Sequence, residues 1–362
     1  MARARVLVVD DAVVFRRLLT DTISADADLE VVGSAPNGRI ALQKLSTSPV
    51  DAVVLDVEMP DLDGIATLKE LRKLYPRLPV LMFSSLTERG AEATLDALLL
   101  GANDYFAKPT TSSMDASLVV VKDQLIPKLK AVIAQEAERS ARNKAATISF
   151  PAGSASLRGT AETPVELLVV AASTGGPNAL LEFFRGLPAD LPVPIAAVQH
   201  MPPMFTKHLS DRLAANSSLN VAEAKDGQAL EKGKVVLAPG DYHLEIERGA
   251  NGVLRTKLHR NPHENSVRPA ADVLFRSAAR ACGPGVLAVV LTGMGLDGKA
   301  GAEKIVSAGG RVVVQDVETS VVWGMPGAVA RAGLADGVYP LKDLAGAVIR
   351  RIQSRRAGAA RP

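Results

Sequence analysis

Ser173, His200 and Asp297 each follow an apolar run that stops at a turn, in "LLVVAAS", "IAAVQH" and "LAVVLTGMGLD". Short apolar runs bounded by glycine or polar residues read as buried strands. In a parallel α/β sheet such residues gather on one rim, and a serine, a histidine and an aspartate there are the inventory of a catalytic triad. Each also has an ordinary reading. Ser173 precedes the helix-forming "TGGPNAL", so it can cap that helix, line a phosphate-binding turn or act as a nucleophile. His200 can be a packed structural histidine, and Asp297 can make a turn with Gly298. The phosphate reading lacks the Walker lysine and the G-x-G-x-x-G spacing, and the serine departs from the G-x-S-x-G elbow. What the segment keeps is a sharp turn, small following residues and a helix N-terminus that favours developing negative charge. The glycine-rich "LTGMGLDGKAG" adds candidate oxyanion donors, the N–H groups of Met294 and Gly295, although Met294 serves equally well as an apolar wall.

A second set of polar residues closes the apolar runs of the N-terminal half. Asp10 and Asp11 follow "VLVV", Asp56 follows "AVVL", Ser84 and Ser85 follow "VLMF", and Lys108 with Pro109 follows "DYFA". Clustered carboxylates repel unless a hard cation neutralises them, and Mg²⁺ with oxygen ligands and waters does so. Asp56 can then accept a phosphoryl group, with Lys108 pairing its oxygens and Ser84 donating a hydrogen bond to one of them.

The elements that position these residues follow from the pattern. The first half alternates apolar runs with amphipathic stretches, "RVLVVD", "EVVGSA", "DAVVLD", "PVLMFSS" and "DYFAKP", the signature of a parallel sheet covered on both faces. Residues from about 138 to 163, rich in Ala, Ser, Thr, Gly and Arg without an apolar period, read as a linker. A second alternating series runs from "VELLVVAAS" to "GRVVVQD", interrupted by "DYHLEIERGANGVLRTKL", which reads as a hairpin with Asn-Gly at its turn. A chain of 362 residues implies two domains. Its single cysteine, Cys282, excludes a disulfide framework and a multi-cysteine metal site. The start "MARARVLVVDD" lacks the apolar core of a signal peptide, and no run is long enough to span a membrane, so a cytoplasmic protein without membrane insertion is expected. The net charge of +3 is too balanced for a nucleic-acid binder, and the arginine-rich tail reads as a solvated end.

The first half, about residues 4 to 125, resembles the receiver domain of two-component response regulators through "VLVVDD", "LDVEMPDLDG", "MFSS" and "DYFAKP". That resemblance implies a doubly wound (βα)5 domain with strand order 2-1-3-4-5. It implies Asp56 as phosphoacceptor, Asp10, Asp11, Asp56 and the backbone carbonyl of Glu58 as Mg²⁺ ligands, and Ser84 and Tyr105 as the pair that senses phosphorylation. Glu58 carries a charge where many receivers have a neutral residue. The second half, about residues 165 to 353, is similar to the methylesterase of bacterial chemotaxis (the CheB family) through "AASTGGPNAL", "VQHMPPMFT", "LAPGDYHL", "SVRPAADVLFRSAA", "LTGMGLDG" and "VVWGMPGAVA". The resemblance implies Ser173, His200 and Asp297 as the triad, Met294 as oxyanion donor and Thr174 in the site.

The combined expectation is an α/β chain in four parts. A receiver occupies 1–125, a helical extension and linker 126–163, a catalytic domain with a mostly parallel sheet and an antiparallel hairpin 164–353, and a basic tail 354–362. Its expected activity is hydrolysis of glutamate methyl esters on methyl-accepting chemoreceptors, with receptor glutamine deamidation as an open addition. The receiver is expected to restrain the esterase until a chemotaxis histidine kinase phosphorylates Asp56, a step that needs Mg²⁺, whereas ester hydrolysis needs no cofactor. Three rivals remain: the same chemistry in a parallel pathway, a non-catalytic receptor-binding adaptor, and a transcriptional regulator, for which no helix-turn-helix is recognisable.

Overall fold

The computed structural model describes residues 3–109, 114–144 and 163–359. They divide into two compact units, Met1–Thr147 and Ile148–Pro362.

In the first unit, strands β1 (Ala4–Val9), β2 (Leu29–Ala35), β3 (Ala52–Asp56), β4 (Val80–Ser84) and β5 (Asp104–Ala107) alternate with helices α1 (Val13–Ser24), α2 (Gly38–Thr47), α3 (Gly64–Leu74), α4 (Glu88–Leu99) and α5 (Met114–Lys144). The strands pair in parallel in the order β2-β1-β3-β4-β5. β3 and β4 are buried along their whole length, which explains their unbroken apolar sequences: helices cover both faces. Three helices start on side-chain caps, with Asn37 accepting from Ile40 N at 3.0 Å, Asp63 from Ala66 N at 2.7 Å and Thr87 from Gly90 N at 3.0 Å. Helix α5 corrects the linker boundary. It continues to Lys144 through "AERSARNK", whose residues are largely good helix formers but lack an apolar stripe, so periodicity alone misses it. The rest of the linker, residues 145–162, lies outside the described residues.

The second unit contains β6 (Leu167–Ala172), α6 (Gly176–Arg185), β7 (Ile195–Gln199), α7 (Phe205–Asn216), β8 (Asn220–Glu223), β9 (Lys234–Leu237), β10 (His243–Arg248), β11 (Leu254–His259) and α8 (Ala271–Cys282). It closes with β12 (Val286–Val290), α9 (Lys299–Ser307), β13 (Arg311–Gln315), α10 (Met325–Arg331), β14 (Gly337–Tyr339) and α11 (Leu341–Ala359). Seven strands form a parallel sheet in the order β14-β13-β12-β6-β7-β9-β8. β10 and β11 form a separate antiparallel hairpin, in which Asn251 and Gly252 sit inside a longer loop rather than forming a two-residue turn. The central strands β12, β6 and β7 are buried throughout and join Phe275, Leu274 and Ala278 of α8 in the core, so their carboxyl ends are rigidly placed. The chain runs outward from β6 to β7 on one side and later to β12 on the other, which puts a topological switch point at the end of β6. No helix among the described residues is long and apolar enough to cross a membrane.

Candidate functional site

Ser173 is the first residue past β6, and His200 is the first past β7. The register pairs Ala172 with Gln199, so Ser173 and His200 leave adjacent strands side by side. The turn after Ser173 needs Gly175, which sits at φ 75° as the N-cap of α6 without any side-chain cap bond. That removes the helix-cap reading of Ser173: its carbonyl accepts from Gly176 N at 2.7 Å, and its hydroxyl makes no hydrogen bond among the described residues.

His200 Nε2 lies 2.7 Å from Asp297 Oδ2. A carboxylate only accepts, so Nε2 carries the proton and Nδ1, which has no partner among the described residues, is the basic nitrogen. The imidazole is 10 % exposed and Asp297 3 %, so the pair is screened from water. Asp297 does not make the simple turn its sequence allows. Its Oδ2 also accepts from Ala271 N at 2.6 Å, and Oδ1 accepts from Asp272 N at 3.0 Å and Asn265 Nδ2 at 2.8 Å. Two of these donors are the first amides of α8, whose own N-cap, Ala270, has no side chain that can cap. Burial pushes the Asp297 carboxyl up, but His200 and the two amides outweigh it and hold it below the usual carboxylate range. The ion is therefore available to orient and stabilise a charged imidazole.

The loop after β12 crosses the same rim. Met294 is half-buried and Gly295 exposed, and neither N–H has a partner among the described residues. Gly324 keeps them open, since a Cβ there would stand 2.9 Å from Gly295 N and 3.1 Å from Met294 Cα. Thr174 is buried beside Ser173, and its carbonyl accepts from Thr292 Oγ1 at 2.9 Å.

In the first unit, Asp10, Asp11 and Asp56 place one carboxylate oxygen each within 4.8 Å of one another. Lys108 Nζ bonds Asp56 Oδ2 at 2.8 Å and pairs with Asp10 Oδ2 at 3.1 Å, so a single ammonium faces the three carboxylates. Three carboxylates against one ammonium leave negative charge in excess, and a donor set made only of oxygens fits a hard divalent cation. Burial, with Asp10 adding to it against the pull of Lys108, raises the Asp56 carboxyl to about 7. Glu58 is exposed, and its N–H approaches Asp56 Oδ1 at 3.4 Å. Ser84 is buried with its hydroxyl donated to Gly90 O at 3.1 Å, while Tyr105 is buried beneath Lys128, whose Nζ lies 5.1 Å from the ring centre. Burial raises the Tyr105 hydroxyl well above its ordinary value.

Comparison with known proteins finds a match for each of the two units. Residues 168–348 match the family model described as CheB methylesterase, and residues 6–117 match the response regulator receiver domain. The chain belongs to the CheB methylesterase family. A protein-glutamate methylesterase/protein-glutamine glutaminase of Nocardioides is 50 % identical over 98 % of this chain and 97 % of its own length. One so named from Trichodesmium erythraeum is 46 % identical over 97 % of this chain and 100 % of its own. The crystal structure of the Thermotoga maritima CheB methylesterase catalytic domain covers 51 % of this chain and 98 % of that one, with 43 % identity and a TM-score of 0.50.

Within this CheB-family chain, four residues of the rim escaped the reading of the sequence. Gln199 Nε2 donates to Ser173 O at 2.9 Å and His200 O at 3.4 Å, tying the two turns together. Thr292 accepts from Val322 N at 3.0 Å, and its carbonyl accepts from Ser173 N at 3.0 Å. Asn265 and Asp272 surround Asp297. Gln199, Thr292 and Asp272 stand inside the motifs quoted for the family and Asn265 immediately precedes one, but nothing in the sequence marks their partners.

Proposed function

We propose that this protein hydrolyses γ-methyl esters of glutamate on methyl-accepting chemoreceptors, giving sensory adaptation, and that phosphorylation of its receiver by a chemotaxis histidine kinase increases the rate. The observation that carries the reading is the His200–Asp297 hydrogen bond at 2.7 Å at the end of the strand adjacent to the one that ends at Ser173, whose hydroxyl makes no hydrogen bond among the described residues, with the second ring nitrogen open. His200 Nδ1 takes the Ser173 proton as Oγ attacks the ester carbonyl. Met294 and Gly295 N–H meet the oxyanion, and Asp297 stabilises the imidazolium. The imidazolium returns its proton to the departing methoxide, releasing methanol. Water, deprotonated by the same nitrogen, then cleaves the acyl-enzyme to free glutamate and Ser173. The same route deamidates a receptor glutamine, with ammonia leaving; an amide is the poorer leaving group and needs fuller protonation by His200.

In the receiver, Asp10, Asp11, Asp56 and the Glu58 carbonyl are the proposed holders of Mg²⁺, which supplies the positive charge that lets a phosphoryl group approach Asp56. Lys108 pairs with that group, and Ser84 exchanges its Gly90 bond for a phosphoryl oxygen while Tyr105 packs behind it. The test incubates full-length protein with membranes bearing radiolabelled, methylated receptors, with and without Mg²⁺ and a small phosphodonor. Methanol release in every arm, stimulated only where both are present and not in Asp56→Ala, is the expected result. Binding of receptors without methanol release would instead support an adaptor.

A further inference from the structure

Asp272 and Asp297 are both buried, and each is bonded to the same amide nitrogen: Asn265 Nδ2 lies 2.9 Å from Asp272 Oδ2 and 2.8 Å from Asp297 Oδ1. The amide orientation is forced, because both neighbours are carboxylates and only the nitrogen end can donate to them. Asp272 spends its other oxygen on Gly301 N at 2.6 Å, and its own N–H supports Asp297 Oδ1. Burial raises the Asp272 carboxyl against the Gly301 amide, and the nearby Asp297 charge raises it further. Asn265 itself is exposed and sits at φ 53°, followed by Ser266 at φ 64°. The loop that holds it is anchored by the Glu264–Val267 bridge and by Arg276, which pairs with both oxygens of Glu264 at 2.5 and 2.6 Å.

We propose that Asn265 is a positioning residue for catalysis: its amide gives one hydrogen to each of two adjacent buried carboxylates, and so keeps Asp297 aimed at His200. Its two donated hydrogens offset the repulsion that would otherwise turn one carboxylate away. The left-handed backbone is tolerated by asparagine and aspartate alike, so a residue needed only for the turn would accept either. A residue needed as a donor would not. The inference rests on the triad reading above.

The test measures kcat and KM for methanol release from methylated receptor membranes, using full-length wild type, Asn265→Ala, Asn265→Asp, Asp272→Asn and both double variants. Asn265→Ala, where water can enter, is expected to lower kcat about 10-fold, and Asn265→Asp about 100-fold or more, with KM little changed. Adding Asp272→Asn to Asn265→Asp removes a charge and restores a donor between positions 265 and 272, recovering about tenfold. Wild-type turnover in Asn265→Asp, a loss confined to KM, or an Asp272→Asn change that multiplies the damage would each overturn the proposal. Thermal transitions establish folding; if Asn265→Asp does not fold, the Asn265→Ala single and its Asp272→Asn double decide by the same comparison. Failure of wild type to release methanol, or full activity in Ser173→Ala, would overturn the triad reading and this inference with it; a Ser173-dependent enzyme indifferent to Asn265 overturns the inference alone.

Discussion

His200 turns Nε2, not Nδ1, toward Asp297, at 2.7 Å. In the proposed mechanism the polarity of the ring decides which nitrogen is the base. With the proton held on Nε2 by the carboxylate, Nδ1 takes that role, and Asp297→Asn replaces one of the two acceptor oxygens by an amide donor, so the tautomer is no longer enforced. That variant is expected to fold and to lose about 10⁴-fold in kcat, with nitrogen NMR of labelled histidine showing Nε2–H in wild type and a mixture in the variant. An unchanged tautomer with an unchanged rate would contradict the assignment.

Gln199 is 2 % exposed, and its amide nitrogen is shared by the carbonyls of Ser173 and His200, while its oxygen is buried without a partner. Gln199→Leu loses two hydrogen bonds, the one to His200 O long, worth together about 1–2 kcal/mol net, and also removes that unsatisfied oxygen, so the effects on stability largely offset. Calorimetry should find the melting temperature within a few degrees of wild type. Methanol release should nevertheless slow about tenfold, because the two turns are no longer tied. A stable variant at full speed would show that the strand register alone aligns them.

Gly324 lies against the proposed oxyanion donors, with an added Cβ 2.7 Å from Gly293 O and 2.9 Å from Gly295 N. Gly324→Ala must push the Met294–Gly295 segment away. Loss of one such donor costs about 10²- to 10³-fold in kcat, and a fall within or near that range with KM preserved is expected. Trp323, the single tryptophan of the chain, pairs with Gly293 and reports the displacement through its emission. Normal turnover with shifted emission would place the oxyanion elsewhere.

The strand-end logic made the main rim legible. Apolar runs of β6, β7 and β12 are unmistakable because these strands are buried on both faces, and a serine, a histidine and an aspartate close to their ends stand out against them. The same logic located Asp10, Asp56, Ser84 and Lys108. Strands β8 and β14 were missed, since "NVAE" and "GVY" are short edge strands with little apolar signal. Asn265 was illegible for another reason: its role depends on a left-handed loop folding back on the N-terminus of α8, a long-range fact that no local period encodes. Ring polarity at His200 likewise exists only once Asp297 is placed.

The receiver's acidic cluster carries a pH signature. Asp56 has its folded value raised to about 7, against about 3.9 for an unfolded aspartate, so between these the folded state binds the extra proton. Stability from this group therefore falls as pH rises from about 4 to about 7 and stays low above that. At pH 8 without Mg²⁺, Asp56→Asn should raise the melting temperature of the first unit, and adding Mg²⁺ should stabilise wild type more than the variant. Calorimetry that finds wild type and variant equal in both conditions would refute this account of the cluster.

The most direct measurement is the rate of methanol release from methylated receptor membranes by Ser173→Ala beside wild type, both folded by calorimetry. In the proposed mechanism Ser173 supplies the oxygen of the acyl-enzyme, so the variant should fall by about 10⁶-fold, to the limit of detection, with receptor binding retained. Turnover by Ser173→Ala at or near the wild-type rate would contradict the nucleophile assignment, and with it the hydrolytic mechanism argued for this rim.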